Sequence, residues 1–524
     1  MGNNKLIQMF RRNQERNNGG RYLKPALFMA IICIFFSLPI LFFYDSSIYI
    51  EYIDFFKGKL PWGVWGRTRG WGYPLFLWIS GVLFGESSYG VTTAHFLLFL
   101  VFLYFLGKIM RIQKEINAKV LPVVLFFLFV INPIIAGYFH VMLTEALAAV
   151  ICIYSIYKVL DCQKKVYENP KDKMAIAKSV AVITVSTVFL YAIKQMFFII
   201  PVLALFFSSF WLVVKKKLSV FVFFVNFCVI ACGLFLSIKC WNIFLDAEDA
   251  ANMDIKIEDT VFSGVNVNGE EFFNAYLMKG AINFKYDGAT QTITVYHQDE
   301  AVDILPYEGE VNQFQYLYTC FIHHPILLLE GYIDGYGALA NLYRIEVAPG
   351  EAVSSGKIVR DVSFVRGYEN YAIGCYPRYY KHGINTYEQL GRGDKLVQYG
   401  QYTDDNLTVK ILYSPFMIAF HNFLFTFSFI YAPLAMVWHA VVCWLNRKKE
   451  AGDFHAIQFI LAGTAFLYGM ALSIMCMHID RYMFPVYAFV VVVLIGDIIY
   501  WIRICPVKMG IRDNKIQVSF TAKS

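Results

Sequence analysis

About ten runs of roughly twenty apolar residues divide this chain, at 25–43, 89–109, 120–138, 143–160, 174–192, 195–214, 219–238, 416–445, 457–477 and 482–502. A helix of about 20 residues matches the ~30 Å hydrocarbon core of a bilayer. Only helices can serve there, because each backbone N–H and C=O must find its partner within the segment. A shorter apolar piece, 71–84, reads as an interfacial or re-entrant helix. The expected fold is therefore an all-α polytopic membrane protein. Only 16% of the 524 residues are charged, and there are 49 Phe and 35 Tyr. Soluble domains carry about 25% charged residues, so a soluble fold would expose large apolar patches.

Basic residues cluster in alternate connections, and cytoplasmic loops are the ones enriched in Lys and Arg. With the N-terminus inside, the inner connections hold Lys108, Arg111, Lys114 and Lys119; Lys164, Lys165, Lys171 and Lys173; Lys215 to Lys217; and Arg447 to Lys449. The basic tail, with Arg503, Lys508, Arg512 and Lys515, then falls inside as well. The implied organisation is a basic N-terminus (1–24), a membrane module (25–238), an extracytoplasmic domain (239–411), a second membrane module (412–502) and a cytoplasmic tail (503–524). The apolar run at 25–43 exceeds a signal-peptide core, and no A-x-A site follows, so it reads as a retained helix in a multi-pass plasma-membrane protein. The net charge of +7 is spent on topology; no nucleic-acid motif accompanies it.

The extracytoplasmic domain reads as α+β. Asp287-Gly288 between INFKY and TQTITVYH is a hairpin signal, and 325–342 is an apolar helix suited to a membrane surface. Cys240, Cys320 and Cys375 leave room for one disulfide there, but no CxxC occurs. His323, His324, His478 and Asp480 lack the short-range spacing of a metal site, so no metal is assigned.

Some charges lie on the side that should lack them. The first outer loop carries Arg67 and Arg69 beside Asp45, Glu51 and Asp54; Lys194 stands alone between two apolar runs; Glu145 and Arg481 mark the outer ends of two others. An ionisable residue at a membrane boundary is costly and is a functional candidate.

These segments resemble GT-C-type glycosyltransferases, the membrane enzymes that use polyprenyl-phosphate sugars, such as the protein O-mannosyltransferases and the lipid A aminoarabinose transferase. YDSSIYIEYIDFFKGKLP followed by GRTRGWGYPLFLWISGVLFG resembles the family's first outer loop. NPIIAGYFHVMLTEALAA resembles its second, and YAIKQMFFIIPVLAL a segment that usually holds Arg where this chain has Lys194. HIDRYMFPVYAF is similar to the C-terminal RY-x-x-P turn, and FIHHPILLLEGYIDGYG to a surface helix. The likeness covers 22–238 and 412–502. It departs in two respects: several relatives have an adjacent Asp-Glu pair where Asp45 is followed by Ser46, which leaves open which acid does the work and whether a metal is needed, and the second is a missing motif. No WWDYG-type motif is present, which sets oligosaccharyltransferase aside.

The resemblance implies transfer of one sugar from a polyprenyl-phosphate donor to a glycan, lipid or protein acceptor at the extracytoplasmic face; the sequence assigns no cofactor and leaves a divalent metal open. Asp45 would be the base, its basicity raised by partial desolvation, with Glu145 assisting. Lys194 and Arg481 would hold the donor phosphate, helped by Arg67 or Arg69, and Tyr49, Glu51 and Asp54 would support them. A polysaccharide polymerase or ligase, a lipid-linked anion transporter and a non-catalytic scaffold are the competing readings; transport would call for an inverted repeat and broken helices.

Overall fold

A computed structural model describes residues 19–38, 40–42, 44–59, 70–113, 120–170, 172–251, 282–287, 289–297, 300–306, 318, 321–346, 357–359, 378–380, 396–398, 407–445, 453–475, 480–504, 507–512 and 515–520. The chain is mostly helical, and its apolar helices make it an integral membrane protein. Among the described residues, seven helices are long and apolar enough to cross a bilayer, or eight if one bent pair is a single span.

In chain order the principal helices are α1 (Gly19–Ser37), α2 (Tyr44–Glu51), α3 (Gly72–Phe84), α4 (Ser88–Ile112), α5 (Leu121–Leu125), α6 (Pro133–His140) and α7 (Thr144–Glu168). They continue as α8 (Lys173–Ile193), α9 (Ile199–Val214), α10 (Val220–Ala251), α11 (Pro325–Leu339), α12 (Pro415–Leu445), α13 (Asp453–Met475) and α14 (Phe484–Ile504). The short helix α3 occupies the place read as an interfacial or re-entrant piece.

Three differences from the sequence reading stand out. The first apolar run does not continue to residue 43: α1 ends at Ser37, and Leu41–Phe42 pairs antiparallel with Arg378–Tyr380, tying the first loop to the polar domain. The run 120–138 is broken, with Leu121–Val130 and Pro133–His140 meeting at 67°. Asn132 makes the break, its Oδ1 accepting from the amides of Ile134 and Ile135 at 3.0 and 3.3 Å ahead of Pro133. An Asn cap with Pro in the first helical position is a strong start signal. The last membrane helix before the polar domain runs on to Ala251, past the boundary expected at 238.

The helix α7 is the hub, packing on α4, α8, α9 and α14. It carries Glu145, Lys158 and Asp161 and is not among the seven apolar spans, yet almost its whole inner face is buried. By contrast α10 is largely exposed along its span, as a lipid-facing helix should be.

Between helices in lipid there is little hydrophobic drive, so packing and hydrogen bonds supply the cohesion. One buried polar network does this for α4, α12, α13 and α14. Asp497 accepts from Tyr431 Oη at 2.7 Å, His439 Nε2 at 2.9 Å and Gln458 Nε2 at 3.0 Å. Gln113 Nε2 donates to Gln458 Oε1 at 3.0 Å. His439 Nδ1 meets His455 Nδ1 at 2.9 Å, and His455 Nε2 meets Tyr500 Oη at 3.1 Å. With both rings neutral, the donors run one way, from Tyr500 through His455 and His439 to Asp497.

The polar domain contains the expected hairpin. Strands β1 (Ile282–Asp287), β2 (Thr292–His297) and β3 (Glu300–Pro306) form an antiparallel meander, with Asp287 opposite Thr292. The apolar helix of this region, α11, packs on α13 and on the turn Asp480–Met483. His324 Nε2 bonds Asp303 Oδ2 at 2.9 Å, fastening the meander to the start of α11. Past α14 the tail forms an antiparallel pair, Val507–Arg512 with Lys515–Phe520, which the sequence reading left without structure.

Candidate active site

Three helix ends converge at one end of the bundle. Val141 and Leu143 are extended after α6, so α7 begins at Thr144 and places Glu145 in its first turn. A carboxylate there meets the positive end of the helix dipole. Lys194 is the extended residue that closes α8, its amide bonded to the Leu190 carbonyl at 2.9 Å. A cation is favoured at that end for the same reason. Arg481 sits in the 3₁₀ turn Asp480–Met483 that leads into α14.

These side chains meet. Glu145 is fully buried. Its Oε1 lies 3.4 Å from Lys194 Nζ and 3.8 Å from Arg481 Nε, and its Oε2 accepts from Thr144 Oγ1 at 3.1 Å. A buried carboxylate requires such pairing. Both cations approach Tyr482: Lys194 Nζ is 4.1 Å from its ring centroid, and Arg481 Nη2 donates to its hydroxyl at 3.3 Å. Tyr468 Oη bonds the Tyr482 carbonyl at 3.0 Å and fixes the turn to α13. Cation–π contact of this kind adds about 0.5–2 kcal/mol.

The first loop touches the same corner through its glycines. A Cβ on Gly70 would overlap the carbonyl of Ala192, and one on Gly72 would come within 2.9 Å of Ile193 Cγ1. The GWGYP segment that begins at Gly70 thus lies closely against Ala192 and Ile193, the two residues before Lys194. Beside it, Trp71 packs on Phe189 and on Trp241 of α10, with ring centroids 6.0 Å apart in each case.

The other expected site residues are placed less centrally or lie outside the description. Asp45 belongs to α2, but its side chain is outside the described residues, as are Arg67 and Arg69 entirely. Tyr49 is buried edge-on against Tyr73, 5.1 Å between centroids. Tyr73 Oη in turn meets His95 Nε2 at 3.3 Å, so Tyr49 and Tyr73 extend the core under the loop. Glu51 is exposed, its carboxyl pKa raised by partial desolvation and by Asp54. Asp54 pairs with Lys59 at the surface, 3.6 Å apart. Glu51 and Asp54 therefore stand apart from the buried cluster.

Among the described residues no group of three His, Cys, Asp or Glu is arranged to hold a metal. Of the histidine set weighed for metal, His324 is engaged with Asp303 and His478 lies outside the described residues. Tyr482, Tyr468 and Thr144 were not singled out from the sequence. Thr144 and Tyr482 are the chain neighbours of Glu145 and Arg481, which is the signal that would have found them.

No family model matches the chain, and no curated protein or solved structure matches it.

Proposed function

We propose that the chain is a membrane glycosyltransferase that moves a sugar from a polyprenyl-phosphate donor to an acceptor at the extracytoplasmic face. The observation that carries this reading is the convergence of Glu145, Lys194 and Arg481 from three separate helices onto one buried point. Two fixed cations beside a departing phosphate stabilise charge as it develops, without any proton transfer. The Glu145 carboxylate offsets one of these two positive charges and can position an acceptor hydroxyl or a sugar. Asp45, on α2 of the first outer loop, is assigned as the base that takes the acceptor proton. The exposed apolar flank of α10, with Phe235, Leu236 and Ile243, offers a surface for the polyprenyl tail. The finer architecture belongs to the same proposal: ten spans in a GT-C-like arrangement, a plasma-membrane location, and an α+β domain outside.

One observation favours transport as a second reading, namely the broken pair α5–α6. The polar group at that break is occupied, however: Asn132 caps α6 and donates to Tyr487 Oη at 3.1 Å. Glu145, Lys194 and Arg481 lie at helix ends instead, where a surface reaction would need them.

The test is a transfer assay with purified full chain and a panel of polyprenyl-phosphate hexoses, mannose first. The wild type should form a glycosylated product, and Asp45→Asn should abolish it while leaving the folded yield intact. Near-normal transfer by Asp45→Asn would refute the base assignment. Lipid-linked sugar carried across vesicles without a new glycosidic bond would refute the transferase reading.

A further inference from the structure

We propose a second binding site, for a phosphate group, in a cavity at the opposite end of α7. Glu145 and Lys164 are 19 positions apart on this helix, or about 28 Å at 1.5 Å per residue. That is close to the thickness of a bilayer core, so the cavity is remote from the Glu145 cluster and its occupancy does not depend on the transferase reading.

The cavity holds about 300 Å³ between α4, α7 and α13. Lys108 and Arg111 come from α4, one turn apart; Tyr157, Asp161, Lys164 and Tyr167 come from one face of α7. The single acidic group in the lining is already committed, because Asp161 Oδ2 accepts from Lys165 Nζ at 2.7 Å and Lys165 is not a lining residue. Lys108, Arg111 and Lys164 have no acidic partner among the described residues. Three cations facing one concavity attract an anion more strongly than the same charges spread on a rim.

The walls are fixed, unlike a fringe of solvated lysines. Gln113, two residues beyond Arg111, is bonded to Gln458, the neighbour of the lining residue Ile457, and Gln458 is bonded to Asp497. On α7, Gln163 accepts from Ser208 Oγ at 3.3 Å, which holds that wall against α9. Preformed walls cut the ordering cost of binding. Arg presents a planar fork matched to phosphate oxygens, and Tyr157 and Tyr167 complete the wall. A volume near the lower end of the range for ligand pockets admits a phosphate with one small substituent. The shared chemistry is a phosphate mono- or diester, from an anionic lipid headgroup or from a free phosphate compound.

The experiment uses the full chain in phosphatidylcholine nanodiscs and reads the thermal unfolding midpoint. One arm adds phosphatidylglycerol to the bilayer, and another adds inorganic phosphate against chloride at equal ionic strength. The wild type should gain stability in at least one arm, and the arm that responds identifies the source. The Lys108→Gln/Arg111→Gln/Lys164→Gln variant should lose the gain, whereas Lys215→Gln/Lys216→Gln, on a neighbouring basic turn, should keep it. If the triple variant does not fold, Arg111→Gln alone should raise the concentration needed for half-effect by about tenfold or more, with partial recovery in Arg111→Lys. No gain in either arm, a gain retained without the three cations, or a gain lost equally in the control variant overturns the proposal.

Discussion

Lys194 Nζ lies 3.4 Å from Glu145 Oε1, across 49 positions of sequence and between the end of one helix and the start of another. The lysine side chain is 14% exposed and the carboxylate 1%. Removing one member of a buried pair strands the other, at a cost of about 3–5 kcal/mol. Glu145→Gln should therefore lower the unfolding midpoint in detergent, and Glu145→Gln/Lys194→Met should cost less than the sum of its single changes. Additive losses would show that the two groups do not act on each other.

The approach of the first loop to α8 gives a second expectation. Gly70→Ala must push the Ala192 carbonyl, and with it the backbone that aims Lys194. Overpacking of this kind costs about 1–3 kcal/mol, and transfer should fall with it. Gly107→Ala is the control, since its Cβ would meet Leu125 Cδ1 at 3.4 Å. That variant should be neutral or slightly stabilising, as Ala is the better helix former. Equal behaviour of the two variants in thermal unfolding would contradict the close contact.

Asp497 is the hub of a separate network and makes no claim on the reaction. Asp497→Leu leaves the donors of Tyr431, His439 and Gln458 without their acceptor, at about 1–3 kcal/mol for each stranded group. Asp497→Asn keeps one of the two acceptor oxygens, enough for Tyr431 and His439, and should lose less. Both variants should retain the wild-type donor KM where they fold, and a raised donor KM would mean that the network reaches the Glu145 cluster.

A pH dependence follows at the exposed tie between the meander and α11. The hydrogen bond from His324, with that from the Ile304 amide, holds the Asp303 carboxyl below its ordinary value of 3.8. A carboxyl lowered by folding contributes stability that is present above its unfolded pKa and lost as pH falls through the folded one. Amide exchange at Leu328, whose N–H bonds the His324 carbonyl, should quicken below about pH 3.8 after correction for intrinsic rates. Asp303→Asn should flatten that profile, and an unchanged profile would show that the tie contributes nothing.

Much of the bundle was legible because a membrane helix announces itself by length and hydropathy alone. The runs behind α4, α8, α9, α12, α13 and α14 lie within a few residues of the observed helices. The convergence of Glu145, Lys194 and Arg481 was legible for a related reason, since a charge at an apolar boundary is expensive and needs a partner. The early end of α1 was not, because Leu41 and Phe42 pair with residues more than three hundred positions away, and apolar strand and apolar helix look alike over a few residues. The break at Asn132-Pro133 had a signal, but continuous hydropathy across it masked the cap. Asp497 also had one, a lone carboxylate inside an apolar run, yet its partners come from α12 and α13 and no spacing rule connects them.

The most direct test of the central claim is donor kinetics of Arg481→Gln in the transfer assay. If Arg481 and Lys194 hold the departing phosphate, the variant should lose donor kcat/KM by at least about a hundredfold, as loss of one charge-stabilising donor commonly does, while acceptor KM stays near wild type. Equal impairment toward donor and acceptor, or unimpaired turnover, would contradict the account.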